Sequence, residues 1–520
     1  MAWGGKEEST TTSTIIELRE GNYLPRHIQE LTGIRDSDMA AAVPLESVFA
    51  NFHDFLKTSE SPLCYGIIHF AQFEKPFIED AYNILKEAVP FSVLCTHEIA
   101  KRLFPNLPTR GIKGLAGYYG YPVEELKRSK CHVDATRVIW NGLLNDLKEK
   151  DIYTLEDLQK WLAETPKKAR TKYEYPLPKE KRLTLTKKPG IYRMISKTGE
   201  VLYVGKATSL RDRVNSYFRG QKNRDPKKLE MLTQVWDLIV TPCESPLEAA
   251  LMETDEIKRL NPRYNISLKT GNRGMVFYTQ TLDEMSIIQD TEHPIGPFSN
   301  PWVLDSVSKL SRSLTSIPAE MNRYMFFDPI DPQLIEEGLN VFCSRYDVDK
   351  SKFSNMRSII ALGLWWYRDT LKKTNLASEI LETESANEDE VILEDDSIPE
   401  SEFSSEEEIL ELTAEDLADK FERHFIRAGR AYWRAREMTK LLNSDIDFQM
   451  IPSDKHGSLI IRKGKLSPTM NLESDNKMPW EGLSIEDYDR MTVLNSELAK
   501  IRSQNGQVHV KEIHSGHKKL

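Results

Sequence analysis

The run "GIYRMISKTGEVLYVG", residues 190–205, restricts the fold more than any other stretch of this 520-residue chain. "GIYRMI" and "VLYVG" are rich in β-branched and aromatic residues and flank "SKTGE", whose glycine suits a tight turn, so the run predicts an antiparallel β-hairpin. In that hairpin Tyr192 and Tyr203 sit on neighbouring strands. "LRDRVNSYF" follows within a few residues and predicts a short helix, with Leu210, Val214 and Tyr217 on one apolar face. Arg213 lies one turn before Tyr217 and can point back over the strand ends. Phenols and cations therefore crowd one turn.

A second helix begins near residue 245. Ser245, Pro246 and Glu248 occupy its N-cap, first and third positions, a capping box with proline where it is best tolerated. Ala249 and Ala250 one turn before Glu253, and Ile257 one turn after it, place that carboxylate on the inward face, whereas Asp255 and Glu256 face water. A lone Glu in an amphipathic helix ordinarily reads as a solvated charge.

Charge has to be read by segment, because the formal net charge of −10 misleads. Residues 381–416 hold sixteen Asp and Glu and no Lys or Arg, so the remainder is net +6. Residues 181–270 carry eighteen basic and ten acidic residues, a local +8. A basic module is thus joined to an acidic stretch, a composition compatible with a phosphate-bearing partner.

Taken in order, "GIY" at 190–192, "YVG" at 203–205, Lys206, "LRDRVNSYF" and "SPLEAALMETDEIKRLNPRYNISLK" at 245–269 resemble the GIY-YIG nuclease module that opens the UvrC excinuclease subunit and its shorter relative Cho. The resemblance implies a small α/β nuclease domain over residues 190–270 that cuts DNA with one Mg²⁺ or Mn²⁺ ion. It implies Glu253 as the metal ligand, Tyr203 as general base with Tyr192 its neighbour or substitute, and Arg213 as a clamp on the scissile phosphate. Lys206 then helps to hold phenolate or phosphate, while Tyr217 and Asn265 orient water and phosphate. Core tyrosine and turn asparagine are the alternatives for these last two. Nearby cations are expected to favour a phenolate and lower its pKa from ~10. Arg211, Arg219, Lys222, Arg224, Lys227 and Lys228 are expected to touch the DNA backbone without reading sequence.

The same resemblance implies a single incision in nucleotide excision repair, on the 3′ side of a lesion, with UvrA and UvrB as partners that mark the site. Of UvrC's later parts, its second nuclease and its helix-hairpin-helix pair are not found, although "HPIGPFSNPW" is similar to a segment that follows its first nuclease. A non-catalytic DNA-binding adaptor with relic nuclease folds is the rival from another class. A restriction or homing nuclease would need a base-reading module, and none is visible.

Upstream, "YLPRHIQELTGIRDSDM", "IIHFAQFEKPFI" and "LCTHEIAKRLFPNLPTRGIKGLAGYYGYPVEE" resemble the DnaQ-like proofreading exonucleases. That family holds two metal ions with four acids. Its opening Asp-x-Glu strand has no counterpart in "MAWGGKEESTTTSTIIEL". Where the family has His-Asn-Ala-x-Phe-Asp, this chain has His69, Phe70, Ala71, Gln72, Phe73 and Glu74. Asp134 matches the last Asp, but the expected general-base His falls on Ser129, and His132 is out of step. With half its ligands missing, this domain is expected to be inactive.

The fold class is therefore α/β and α+β multidomain. Residues 1–162 are read as a truncated RNase H-like exonuclease domain, 163–189 as a basic linker and 190–270 as the GIY-YIG domain. An extension at 271–327, a helical region at 328–380, an acidic disordered linker at 381–412 and a mainly helical region at 413–520 complete the chain. Five cysteines, Cys64, Cys95, Cys131, Cys243 and Cys343, form no CxxC pair and argue against disulfides or zinc. No apolar run approaches the ~18 residues of a membrane span and no signal peptide opens the chain, so a soluble cytoplasmic protein is expected.

Overall fold

The computed structural model describes residues 2–3, 10–11, 13–19, 21–57, 65–123, 126–165, 172–219, 225–265, 274–282, 284–299, 304, 332–378, 413–450, 455–466 and 478–513. They divide into two compact units, Met1–Pro246 with Pro262–Asn265, and Leu247–Asn261 with Ile266–Leu520. The expected acidic linker at 381–412 lies outside the described residues.

The first unit opens with an α/β layer: α1 (Leu45–Lys57), β1 (Tyr65–Ile68), α2 (Ala71–Ile84), β2 (Ser92–Cys95), α3 (Thr96–Leu103), α4 (Ile112–Tyr118), α5 (Ser129–Lys148) and α6 (Leu155–Ala163). β1 and β2 pair in parallel, with Tyr65 opposite Ser92 and Ile68 opposite Cys95. Parallel neighbours need a crossover, and α2 supplies it, as the strand-to-helix change in the sequence predicts. Leu94, Ile99, Leu115, Ile139 and Leu143 form the core.

The exonuclease-like residues sit at the end of β1, on α2 and on α5, with His132 near enough to act on both His69 and Glu74. His69 is buried just beyond β1, with Nδ1 2.8 Å from the Thr96 hydroxyl. Burial first, and the neighbouring His97 second, push its pKa down to about 4. Glu74 is exposed on α2. Asp134 on α5 lies 3.8 Å from the Arg137 guanidinium, and the His132 ring is 2.9 Å from the Leu126 carbonyl. The described strands before residue 20, Ala2–Trp3 and Thr10–Thr11, carry no acid.

The expected linker needs correction in its second half. From residue 172 the chain packs: Leu177 is buried, the Tyr175 ring meets Phe218 edge-on at 4.8 Å, and Lys179–Leu183 forms a helical turn. Lys181 Nζ reaches Asp237 Oδ1 at 2.5 Å, and the Arg182 guanidinium lies 4.8 Å above the Phe218 ring. Composition made this stretch read as solvated, but long basic side chains cover apolar surface with their stems while their heads stay paired or wet.

Then follow β3 (Gly190–Ile195), β4 (Val201–Ala207), α7 (Leu210–Ser216), α8 (Pro226–Gln234) and β5 (Asp237–Pro242). The three strands form an antiparallel sheet in the order β4-β3-β5. Gly199 takes φ +88° in the β3–β4 turn, a conformation that favours glycine. Leu202, Leu210, Val214 and Leu232 close the core under Tyr192 and Met194. This module and the upstream layer share one unit rather than standing apart. The Thr109 N–H donates to the Thr233 hydroxyl at 3.2 Å, and the Tyr118 and Trp236 rings lie 5.2 Å apart, joining α4 to the end of α8.

The second unit contains α9 (Pro246–Leu260), the strands β6 (Val276–Tyr278), β7 (Met285–Ser286) and β8 (Ile295–Phe298), and the helices α10 (Pro332–Tyr346), α11 (Met356–Ser378) and α12 (Ala414–Leu441). Val276, Phe298, Leu339, Phe342, Ile359, Phe421 and Phe425 share its core. Thr413 caps α12 by accepting from the Asp416 N–H, where helical periodicity resumes in the sequence.

Beyond α12 the expectation of a mainly helical region is corrected. β9 (Ser444–Met450), β10 (Lys455–Arg462), β11 (Lys465–Leu466) and β12 (Gln507–Glu512) form an antiparallel sheet in the order β11-β10-β9-β12, with α13 (Ile485–Ser503) between its last two strands in sequence. Ser444, Ile446 and Phe448 are buried at alternate positions. That period of two, also present in "QVHVKE", was the signal missed.

Candidate active site

The hairpin register brings the aromatic residues together. Tyr192 pairs with Gly205 and Met194 with Tyr203, so Tyr192 and Tyr203 are diagonal neighbours on one face. Their ring centroids lie 6.1 Å apart, and the Tyr217 ring stands 6.0 Å from Tyr192 and 6.3 Å from Tyr203. This triangle depends on Gly205. A Cβ there would overlap the Tyr192 ring and hydroxyl and approach Tyr203 Cε1 to 2.8 Å.

Within the triangle the tyrosines differ. Tyr192 is fully buried and its hydroxyl lies 2.9 Å from that of Tyr217. Arg213 Nη2 donates to the Tyr217 hydroxyl at 3.3 Å, with the guanidinium 5.1 Å from the Tyr217 ring centre. Burial holds the Tyr192 phenol well above its ordinary pKa, and the neighbouring hydroxyls of Tyr217 and Tyr203 add to this more than Arg213 takes away. For Tyr192, then, the expected lowering by nearby cations is reversed, because desolvation of the phenolate outweighs one guanidinium. Burial works against the Arg213 charge, but the Tyr192 and Tyr217 oxygens beside it outweigh that and hold its pKa above the ordinary arginine value. Tyr203 is half-buried and keeps access to solvent.

Two asparagines hold these groups in place. Asn265 is buried, its Oδ1 accepting from the Val204 N–H at 2.9 Å and its Nδ2 donating to the Val204 carbonyl at 2.9 Å. Both ends of the amide are bound to the backbone between Tyr203 and Gly205. Asn215, which the sequence did not single out, is also buried. Its Oδ1 accepts from Arg182 at 2.6 Å, and its Nδ2 reaches the Arg182 and Arg211 carbonyls at 2.8 and 2.7 Å. A polar side chain beside the apolar Val214 on a short helix was its one visible signal.

Residues 188–266 match the UvrC-like GIY-YIG domain family. This segment is a UvrC-like GIY-YIG domain. Its relatives are longer than this chain's matching part. A bifunctional exonuclease/endonuclease protein of Mycobacterium tuberculosis is 26% identical over 321 residues, 60% of this chain and 48% of its own length. UvrABC system protein C of Alkalilimnicola ehrlichii is 49% identical over 87 residues, 16% of this chain and 14% of that protein. The chain thus spans about half the length of the first relative and far less of the second. Among solved structures, the GIY-YIG N-terminal endonuclease domain of UvrC from Thermotoga maritima, bound to magnesium as its catalytic divalent cation, is 29% identical. The match covers 17% of this chain and 93% of that one, with a TM-score of 0.16.

The remaining predicted residues of the GIY-YIG domain are placed as follows. Lys206 is half-buried on β4, opposite Ile191. Arg211, Arg219, Lys227 and Lys228 are exposed, and Lys222 and Arg224 lie outside the described residues. α9 starts at Pro246, as proline at the first helical position predicts. Glu253 is half-buried on α9, in the second unit, with Ala249, Ala250 and Ile257 buried around it in sequence. Glu256 departs from expectation: its side chain is only 16% exposed and lies 3.0 Å from Arg259, so Glu253 is not alone among half-buried carboxylates on this helix. Groups of three or more His, Cys, Asp or Glu able to hold a metal ion are absent among the described residues. A cation at Glu253 would take one protein carboxylate and complete its shell with water and phosphate oxygens, which suits Mg²⁺ and its reluctance to dehydrate.

Proposed function

We propose that the chain is a DNA endonuclease that makes one metal-dependent phosphodiester incision in excision repair, on the 3′ side of a lesion. The observation that carries this reading is the packing of Tyr192, Tyr203 and Tyr217 around Gly205, with Arg213 bonded to Tyr217. Hydrolysis of a phosphodiester needs a base for water and positive charge where the phosphorane-like charge develops. Tyr203, the more exposed phenol of the hairpin, acts in its phenolate form: the phenolate oxygen takes the proton from the attacking water and becomes the neutral phenol. Tyr192 stays neutral and, through the Tyr217 hydroxyl, keeps that ring and Arg213 in register. Arg213 supplies a permanent charge for the scissile phosphate, and Asn265 fixes the strand that carries Tyr203. A divalent cation, Mg²⁺ or Mn²⁺, held through Glu253 would add charge neutralisation at the phosphate and a more acidic water.

Exposed Arg211, Arg219, Lys227 and Lys228 would hold the DNA backbone. UvrA- and UvrB-type proteins are the proposed loading partners. The upstream layer, packed through α4 against α8, serves as support without exonuclease chemistry of its own. Among the described residues no helix is long and apolar enough to cross a membrane.

The test is nicking of a lesion-bearing duplex by the full chain with Mg²⁺, with and without UvrA and UvrB. Wild type should nick once per lesion, and Glu253→Gln should bind DNA equally but leave it intact. Undiminished nicking by Glu253→Gln would remove the metal assignment. Binding without nicking by wild type under every condition would favour a non-catalytic adaptor.

A further inference from the structure

Lysine and aspartate are rarely buried, yet in the second unit Lys258 of α9 and Asp489 of α13 lie 2.9 Å apart with side chains only 10% and 6% exposed. The approach is close but off the hydrogen-bond direction, so the contact is an ion pair in the strict sense. Beside it, Arg490 of α13 reaches Asp255 of α9 at 2.7 Å and Asp487 at 3.4 Å. α13 is itself anchored at its start, where Ser484 and Asp487 form a capping box. Two ion pairs thus grip α9 from one rigid helix end.

Burying such a pair is weak support for stability, because desolvation of both charges offsets their attraction. What a buried pair can supply, as it does in some helical assemblies, is a fixed register between the elements that bear it. The register here concerns the helix that carries Glu253. At 3.6 residues per turn, Asp255 and Lys258 stand about 160° and about 140° around α9 from Glu253. They hold the helix from behind, leaving the Glu253 face to its neighbours. A roll of about 20° would carry a carboxylate at about 6 Å from the helix axis through about 2 Å. That is as large as a bond from oxygen to Mg²⁺, whose coordination tolerates little distortion.

We infer that Asp489, with Arg490 as its outer companion, is a positioning residue for the metal carboxylate, so that cation affinity of the nuclease centre depends on the C-terminal region. The inference rests on Glu253 being the metal ligand, as proposed above. Asp489 touches neither DNA nor metal in this account and acts only through α9.

The experiment measures Mn²⁺ binding by the full chain, from the loss of the free-ion electron paramagnetic resonance signal, together with the Mg²⁺ concentration that half-saturates nicking. Asp489→Asn should weaken Mn²⁺ binding by about tenfold, as loss of outer-shell support does at metal sites, and raise the Mg²⁺ requirement in parallel. DNA affinity should stay as in wild type. The exchange Lys258→Asp with Asp489→Lys should recover most of the loss. Wild-type Mn²⁺ affinity in folded Asp489→Asn, or no recovery in the exchanged pair, overturns the inference. If Asp489→Asn does not fold, Arg490→Gln serves instead, with a twofold to fivefold loss expected for this more exposed pair and wild-type affinity again overturning the inference. Glu253→Gln is measured alongside: should it bind Mn²⁺ as wild type does, the metal assignment itself has failed, a result distinct from failure of the positioning role.

Discussion

The hydroxyl groups of Tyr192 and Tyr217 lie 2.9 Å apart, one from the middle of a sheet and the other from the end of the helix that follows it. Through Tyr217 this bond also reaches Arg213, whose Nη2 is 3.3 Å from the same oxygen. Strand and helix are therefore joined at the point where phosphate chemistry would take place. A hydroxyl pair with the buried Tyr192 as one member is satisfied only while both elements keep their places.

Tyr203→Phe and Tyr192→Phe should separate base from scaffold. Tyr203→Phe keeps the ring and removes the proton acceptor, so single-turnover nicking should fall by ~10²-fold or more at unchanged DNA affinity. Tyr192→Phe leaves the Tyr217 hydroxyl without its buried partner and should lower stability by ~1 kcal/mol or more, with a smaller loss of rate. Thermal midpoints and single-turnover rates on both variants check this. The reverse ranking would make Tyr192 the base.

Arg213→Ala should act on the chemical step more than on binding. If the seven basic residues from Arg211 to Lys228 share the attraction for the backbone, as proposed, losing one should change affinity only modestly. An interaction that strengthens as charge builds on the phosphate appears in kcat, with a loss of ~10²-fold or more expected. Equilibrium binding and cleavage at matched salt distinguish the two. A large affinity loss with normal cleavage of the bound fraction would make Arg213 a docking residue.

Asn265→Ala should remove two buried hydrogen bonds to Val204 at once. Leaving that N–H and carbonyl unpaired should cost about 2–6 kcal/mol, at about 1–3 for each orphaned group. Nicking should fall even at temperatures where the variant is fully folded, because the same strand carries Tyr203. A variant that keeps wild-type stability but loses nicking would instead make Asn265 a direct participant in the reaction.

His69 should make the upstream layer acid-sensitive. Its folded pKa of about 4 lies below the unfolded 6.5, so between those values the unfolded chain binds a proton that the folded one refuses. Stability therefore rises with pH across this window and is lost as pH falls from 6.5 towards 4, by up to about 3 kcal/mol. In His69→Gln the thermal midpoint of this layer should vary less over the same range. An equal pH slope in wild type and variant would show that another group is responsible.

The aromatic cluster was legible in the sequence because it is local: a glycine turn fixes the hairpin, and a spacing of four residues fixes Arg213 beneath Tyr217. The same holds for α9, whose start at Pro246 follows from helix-terminus chemistry within a few residues. Contacts between distant segments left no such mark. Nothing near Lys258 announces Asp489, and nothing near Asn215 announces Arg182, because each partner is supplied by another element.

Sequence alone thus determined which residues gather at the hairpin, the helix carrying Glu253 and the missing exonuclease acids, all matters of residue type and short spacing. Only the tertiary structure decided that Tyr192 is a buried, neutral phenol, that Asn265 spends its amide on Val204, that residues from 172 pack rather than link, and that the C-terminal region contains a sheet. The physical reason is that burial sets ionisation and hydrogen-bond partners, and burial depends on segments far away in the chain.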